Sequence, residues 1–171
     1  PFKNKYYKTL KPSDYKSFPS EKNLNHVLPS KPTPIHTLQE MGFSRSAIDF
    51  PPASIGTGIL EHYGERRDIP SLPATSRISV HLRFGTVSIR QLTKLALDKK
   101  SESWMNELIW RDFYHMILWH FPHVGEGKSF KKEYDFIEWR HDENDFQKWC
   151  DGKTGYPIVD AGMRELNSTG F

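Results

Sequence analysis

The ten residues 106–115, NELIWRDFYH, mix charged side chains with large aromatic ones. Within this stretch Glu107 and Arg111 alternate with Trp110 and Tyr114. A helix exposed to solvent has little use for so many rings. A buried helix excludes unpaired charges, because each one is strongly destabilising in the interior. The segment therefore predicts a helix with one face packed against protein and a second face that meets a polar ligand or another charged segment.

Placed on an ideal helix, residues 104–120 divide into these two faces. An arc of about 120° holds the aromatic and charged side chains, Trp104, Glu107, Trp110, Arg111 and Tyr114. The packing face holds Met105, Leu108, Ile109, Phe113, Met116 and Trp119. Spacing alone leaves two interpretations of the mixed face open. It either forms a Glu107–Arg111 pair covered by neighbouring loops, or binds a flat polar ligand stacked against the rings.

The composition around this helix predicts one soluble, cytoplasmic domain. The chain has 171 residues and is 13% aromatic, so large rings must supply much of its buried surface. Cys150 is the single cysteine, which excludes an internal disulfide. No apolar run approaches the roughly 20 residues of a membrane-spanning helix. His115 and His120 share the helix, but no carboxylates complete a ligand set beside them, so no metal site is predicted.

The charge distribution sets the first 35 residues apart. The net charge is +3, yet residues 1–32 alone carry +5 and the remainder carries −2. Residues 11–35 also contain five prolines, which exclude a long regular element. We therefore predict a basic, extended linker over 1–35 and a folded domain over 36–171. A basic tail can bind nucleic acid, but a solvated linker explains the same lysines.

Start and stop signals along 36–171 predict helices only, and the fold class is all-α. A capping-box pattern at Thr37 opens a short helix that stops at Gly42, and a second at Ser88 opens a helix that ends near Leu97. A helix ending near Tyr63 follows the break at 51–52. Further helices are predicted over about 103–120, near 146–150, and between Pro157 and the stop at Gly170.

Residues 75–79, TSRIS, combine hydroxyl groups with an arginine. Hydroxyl and backbone donors beside a fixed cation suit a phosphate group. Threonine–serine runs also begin ordinary helices, so the segment alone is a weak signal.

The order of several motifs resembles the photolyase/cryptochrome family. Tyr63 precedes TSRIS, and RFG (83–85), ELIWRDFY (107–114) and TGYPIVDAGMRELNSTGF (154–171) follow. The resemblance runs from about Tyr63 to Phe171 and covers the N-terminal half of that family's helical FAD-binding domain. ELIWR and KTGYPIVDA are most similar to class I cyclobutane-pyrimidine-dimer photolyases. PFKNKYYKTL, residues 1–10, resembles the linker that leaves the family's antenna domain, so we expect a fragment of a longer, monomeric protein.

The resemblance implies two groups of residues that bind FAD. The first lines the phosphate side and comprises Tyr63, Thr75, Ser76, Arg77, Ile78 and Ser79. The second faces the cofactor cavity from the long helix and comprises Trp104, Glu107, Arg111 and Tyr114. It also implies that the family's remaining cofactor contacts lie after Phe171, so the chain alone should bind FAD weakly or not at all.

The resemblance further implies roles in repairing DNA that contains pyrimidine dimers. Trp110 would stack on the flipped-out dimer, Glu107 would hydrogen-bond it, and Arg67 would contact the substrate side or a phosphate. Trp139 would be the outer tryptophan of the chain that photoreduces the flavin. The implied reaction is light-driven splitting of cyclobutane pyrimidine dimers, which makes the intact protein a carbon–carbon lyase. The alternatives are a blue-light receptor, a photolyase for the (6-4) lesion, and a helical interaction module without flavin.

Overall fold

The computed structural model describes residues 1–31, 33–48 and 50–170. No strand occurs in these ranges, and the predicted all-α class is confirmed. The α-helices are α1 (Phe2–Thr9), α2 (Ile59–Arg66), α3 (Ser79–Phe84), α4 (Ile89–Asp98), α5 (Glu102–His120), α6 (Glu143–Cys150) and α7 (Pro157–Thr169). Short 3₁₀ turns lie at Pro12–Tyr15, Ser20–His26, Pro122–Val124 and Lys132–Phe136. Within the described residues, no helix is both long and apolar enough to cross a bilayer.

By contacts between residues, the chain divides into two compact units. The larger unit comprises Pro1–Ser17 and Pro52–Asp142, and the smaller unit comprises Phe18–Pro51 and Glu143–Phe171. The larger unit therefore contains α1 to α5, and the smaller contains α6 and α7. The predicted boundary at residue 35 lies inside the smaller unit, and the assignment of 1–35 as an interdomain linker stays a prediction.

The core of the larger unit forms where α5 packs against α2 and α4. Its buried side chains are Leu60, Ile78, Leu92, Ala96, Trp104, Met105, Leu108 and Ile109. Leu92 and Ala96 lie four residues apart and therefore share one face of α4. The opposite face of α4 is polar, and there Lys94 Nζ lies 2.5 Å from Asp98 Oδ2.

A buried hydrogen bond and a close contact fix α5 beside α2. Ser101 Oγ donates to the Leu60 carbonyl oxygen at 2.6 Å, just before α5 begins. A Cβ at Gly64 would lie 2.7 Å from Ser103 Oγ and 3.3 Å from Ser103 Cβ, so a larger residue would displace Ser103. These contacts set the separation of the two helices that carry Tyr63 and Glu107.

The basic N-terminal stretch, predicted to be extended, begins with the helix α1. Phe2 and Tyr6 lie one turn apart on α1 and pack against the core. The ring of Phe2 meets Phe113 edge-on, with centroids 5.2 Å apart. Lys3 Nζ also lies 2.7 Å from Glu102 Oε1. Packing against α5 therefore stabilises a short helix that would be marginal in isolation.

The two predicted capping boxes have different outcomes. Glu40 N–H donates to Thr37 Oγ1 at 3.2 Å, and Thr37 N–H donates to Glu40 Oε2 at 2.7 Å. Residues 38–42 nevertheless form a turn rather than the predicted helix, because Leu38 and Met41 are exposed and no packing extends it. In contrast, α4 begins after Ser88 as predicted, but the Ser88 side chain makes no capping hydrogen bond.

The predicted long helix is confirmed as α5, with one correction to its packing face. Met105, Leu108 and Ile109 are buried, whereas Trp119 is 83% exposed. The fully buried side chains of α5 all lie in its first half, so a wheel drawn over the whole length assigns Trp119 to the wrong environment.

Candidate functional site

A groove of about 780 Å³ lies in the larger unit, between α2, α3 and α5. Its size falls within the range of small-molecule sites, about 300–1,000 Å³. The polar and charged groups that line it are Tyr63, Ser76, Ser79, Arg83, Glu107, Arg111 and His115. The apolar lining consists of Ile78, Leu82, Phe84, Trp104 and Leu108. The groove therefore combines an apolar floor with convergent hydrogen-bonding groups.

The TSRIS segment reaches this groove through an unusual backbone turn. Arg77 has a φ of 48°, a left-handed conformation that costs a residue with a Cβ about 1–2 kcal/mol. Ile78 follows it into the core and is 4% exposed. Ser76 and Ser79 line the groove, whereas Thr75 and Arg77 do not. The turn thus anchors one apolar side chain while its neighbours present hydroxyl groups.

The predicted mixed face of α5 is divided between two cavities. Trp104, Glu107 and Arg111 line the groove. Trp110 instead lines a cavity of about 160 Å³ beside α1, and Tyr114 lines neither. The predicted mixed face therefore does not line one groove, because Trp110 and Tyr114 lie outside the groove lining.

Aromatic contacts explain why Trp110 departs from the predicted face. Its ring meets Phe113 edge-on at 5.5 Å and stacks on Tyr114 with centroids 5.9 Å apart. Phe113 in turn packs against Phe2 of α1, so these contacts hold Trp110 on the α1 side. Trp110 and Tyr114 remain 53% and 59% exposed, and they form an open aromatic surface.

Glu107 pairs with Arg67, just after α2, rather than with Arg111. The Arg67 Nη1 group donates to Glu107 Oε1, and Arg67 immediately follows α2. The Arg67 guanidinium also lies 5.6 Å from the centroid of the Tyr63 ring. Sequence spacing did not reveal this pair, because the partners are 40 residues apart.

The same cluster shifts the pKa of two groups. Burial raises the pKa of the Tyr63 hydroxyl, and the negative charge of Glu107 adds to this effect. The hydrogen bond to Glu107 raises the pKa of the Arg67 guanidinium. Tyr63 therefore stays a neutral donor at the groove, and Arg67 stays charged.

Arg83 and His115 are lining residues that the sequence argument did not assign. The RFG motif contains Arg83, but sequence alone does not show that Arg83 lines the groove, because this depends on which face of α3 packs against α5. Neither Arg83 nor Arg111 has an ion-pair partner among the described residues. Two guanidinium groups without carboxylate partners make the groove suited to an anion.

Trp139 lies apart from the groove lining, after the 3₁₀ turn Lys132–Phe136. Its side chain is 68% exposed. Within residues 1–31, 33–48 and 50–170, no three histidine, cysteine or acidic side chains come together as metal ligands.

In the smaller unit, the TGYPIVDA motif forms a hydrogen-bonded turn before α7. The Asp160 carboxylate accepts bonds from the Thr154 N–H at 2.7 Å, the Thr154 hydroxyl at 2.6 Å and the Gly155 N–H at 3.1 Å. These bonds lower the pKa of Asp160, and the Thr154 hydroxyl contributes most. The Arg164 Nη1 group donates to the Gly152 carbonyl at 3.3 Å. The motif therefore has a structural role at this turn.

Comparison with known proteins gives a consistent result. Residues 104–171 match the model of the FAD binding domain of DNA photolyase. A deoxyribodipyrimidine photo-lyase of Neurospora crassa is 41% identical over 64% of this chain and 20% of its own length. One from Agrobacterium fabrum is 37% identical over 88% of this chain and 33% of its own length. The chain thus spans a fifth to a third of the curated relatives named here.

A solved structure agrees with these matches. The crystal structure of a class III photolyase from Agrobacterium tumefaciens is 42% identical, with a TM-score of 0.60 over 67% of this chain and 25% of that chain. That photolyase belongs to class III, so the expected similarity of this chain to class I photolyases stays a prediction. The chain belongs to the photolyase family and comprises part of its FAD-binding domain.

Proposed function

We propose that the intact protein is a monomeric, cytoplasmic lyase that binds FAD and uses light to split cyclobutane pyrimidine dimers in DNA. The observation that carries the proposal is the groove, in which Ser76, Ser79, Arg83 and Arg111 converge beside the buried Trp104. Relatives named deoxyribodipyrimidine photo-lyase support the reaction class.

The groove suits FAD by the chemistry of its donors. The pyrophosphate of FAD is anionic, and the hydroxyl groups of Ser76 and Ser79 can donate to it. Arg111 supplies a positive charge that no carboxylate neutralises among the described residues. The proposed FAD-binding set also retains Tyr63 and Ile78, which line the groove. Thr75, Arg77 and Tyr114 do not line the groove, and their contact with FAD stays a prediction.

When bound and reduced, FAD supplies an electron to the dimer from its excited state and receives it back after the cyclobutane ring has opened. Glu107 would accept a hydrogen bond from a ring N–H of the dimer and so hold it in place. Trp110 lies one helical turn from Glu107, and its exposed ring would stack on the lesion. Arg67 would contact the substrate strand. Trp139 would pass electrons inward from the surface, a role that its exposure supports.

A repair assay with the full-length protein tests the proposal. Oligonucleotides with one cyclobutane dimer, or one (6-4) lesion, are illuminated with blue light or kept in the dark. We expect the dimer to disappear only in the light and the (6-4) lesion to persist. Repair of the (6-4) lesion alone would contradict the substrate assignment. A flavin-containing protein without repair would be a light receptor, and a colourless one would contradict the cofactor assignment.

A further inference from the structure

The Arg67–Glu107 ion pair lies at the edge of the groove and joins the end of α2 to α5. The two side chains are 36% and 39% exposed, so each is open to solvent on one side. Both residues are proposed to contact DNA, yet in this structure they bind each other. The negative charge of Glu107 therefore offsets the positive charge that Arg67 presents to a DNA phosphate.

Arg67 is committed to protein groups on several sides. One nitrogen, Nη1, donates to Glu107, and Nε lies 3.6 Å from Asp68 Oδ1. The Tyr63 ring lies 5.6 Å from the guanidinium carbon. Asp68 is more exposed than Glu107, with its side chain 82% accessible, and is screened by water accordingly. Glu107 is thus the main group that competes with a phosphate for Arg67.

We propose that Glu107 restrains Arg67 from binding DNA phosphate until a damaged base pair engages Glu107. The inference rests on the proposed function and deepens it. A flipped-out pyrimidine offers its ring N–H to the Glu107 carboxylate, which weakens the attraction of the carboxylate for the guanidinium and favours a contact between Arg67 and the backbone of the same strand. Intact DNA keeps its bases stacked and offers no such group, so its phosphates must compete directly with Glu107. The pair thereby couples recognition of the base to recognition of the phosphate.

The test measures the affinity of the full-length protein for undamaged duplex DNA as a function of salt. Glu107→Gln keeps the shape of the side chain and removes its charge. Each phosphate contact adds about 0.9 to the slope of log affinity against log salt. We therefore expect Glu107→Gln to steepen the slope by about 0.9 and to bind undamaged DNA roughly five- to tenfold more tightly at about 0.1 M salt. Its preference for dimer-containing DNA should fall accordingly.

Two further variants isolate the pair. Glu61→Gln changes the net charge equally and breaks a comparable ion pair, in which Lys99 Nζ lies 2.9 Å from Glu61 Oε1. This control should leave the salt slope close to that of the wild type. Adding Arg67→Gln to Glu107→Gln should abolish the gain, because the released cation is then absent. Thermal unfolding of each variant verifies that the fold is retained.

Equal effects of Glu107→Gln and Glu61→Gln would overturn the inference, as would an unchanged slope or strict additivity with Arg67→Gln. These outcomes differ from failure of the proposed function itself. A wild-type protein with no preference for dimer-containing DNA would contradict that function, whereas a normal preference without coupling would contradict only the restraint.

Discussion

Trp139 and Trp119 are both exposed tryptophans of the larger unit, at 68% and 83%. Trp119 belongs to α5, whereas Trp139 follows a 3₁₀ turn in the FIEWR stretch. Exposure suits a residue that exchanges electrons with reductants in solution, but it does not distinguish the two. The assignment of Trp139 depends on the resemblance of its surroundings to the photolyase family.

Replacing Trp139 tests this assignment at the residue scale. In the full-length protein, Trp139→Phe should slow light-driven reduction of the bound flavin by more than about tenfold, equivalent to about 1.4 kcal/mol in the barrier. Time-resolved absorption after a light pulse measures the rate. Repair should be unaffected once the flavin has been reduced chemically. Trp119→Phe is the matched control, and an equal loss in both variants would remove the special role of Trp139.

At the scale of elements, α5 is buried in its first half and exposed toward its end. Leu108 is 5% exposed and belongs to the core, whereas Leu118 is 46% exposed. The difference arises because Leu108 belongs to the core that α5 forms with α2 and α4, whereas Leu118 lies outside that core. The groove residues Trp104, Glu107 and Arg111 are therefore carried by the well-packed part of the helix.

This contrast predicts unequal effects of two leucine substitutions on one helix. Leu108→Ala should lower the free energy of unfolding by about 2–5 kcal/mol, because it leaves a cavity in the core. Leu118→Ala should change the free energy of unfolding by less than about 1 kcal/mol, because the Leu118 side chain is largely exposed and its removal leaves no buried cavity. Denaturant titration of both variants measures the difference. Equal destabilisation would show that α5 is packed along its whole length.

The turn between α6 and α7 depends on a single carboxylate. Asp160 accepts three hydrogen bonds from Thr154 and Gly155, and its own side chain is buried at 7% exposure. Because the folded-state pKa of Asp160 is lowered, the ionised carboxylate stabilises the turn at neutral pH. This stabilisation is present above the ordinary pKa of 3.8 and is lost as the pH falls through the lower folded-state value.

Removing that charge should loosen the turn specifically. Asp160→Asn should increase hydrogen exchange at the Thr154 and Gly155 amides by roughly tenfold, because the amide accepts more weakly than the carboxylate. Exchange measured by NMR at neutral pH reports both sites. Asp151→Asn serves as the control, since Asp151 has a solvent-exposed contact with Lys153. Unchanged protection in Asp160→Asn would contradict the structural role of the motif.

At the scale of the whole molecule, local patterns predicted the elements better than their assembly. Pro122, Pro157 and Gly170 marked helix ends correctly, because these residues restrict the backbone wherever they occur. Helix α1 was missed because it depends on contacts with α5, such as that of Lys3 with Glu102, which lies 99 residues further along the chain.

The candidate site shows the same division. Helical spacing placed Glu107 and Arg111 on one face correctly, and both line the groove. Spacing could not reveal that Arg67 pairs with Glu107, or that Trp110 lines a separate cavity with residues of α1, because both depend on neighbouring helices. Arg83 lines the groove because α3 lies beside α5, an arrangement that sequence patterns do not predict.

If the groove between α2, α3 and α5 holds the phosphate side of FAD, removing its hydroxyl groups should weaken FAD binding, and a titration measures this. FAD is titrated into the flavin-depleted full-length protein and into Ser76→Ala/Ser79→Ala, with Ser88→Ala as a control outside the groove. Loss of two hydrogen bonds at about 1–1.5 kcal/mol each predicts affinity weaker by about thirtyfold or more in the double variant. The Ser88 variant should bind like the wild type. Equal FAD affinity in all three proteins would contradict the account.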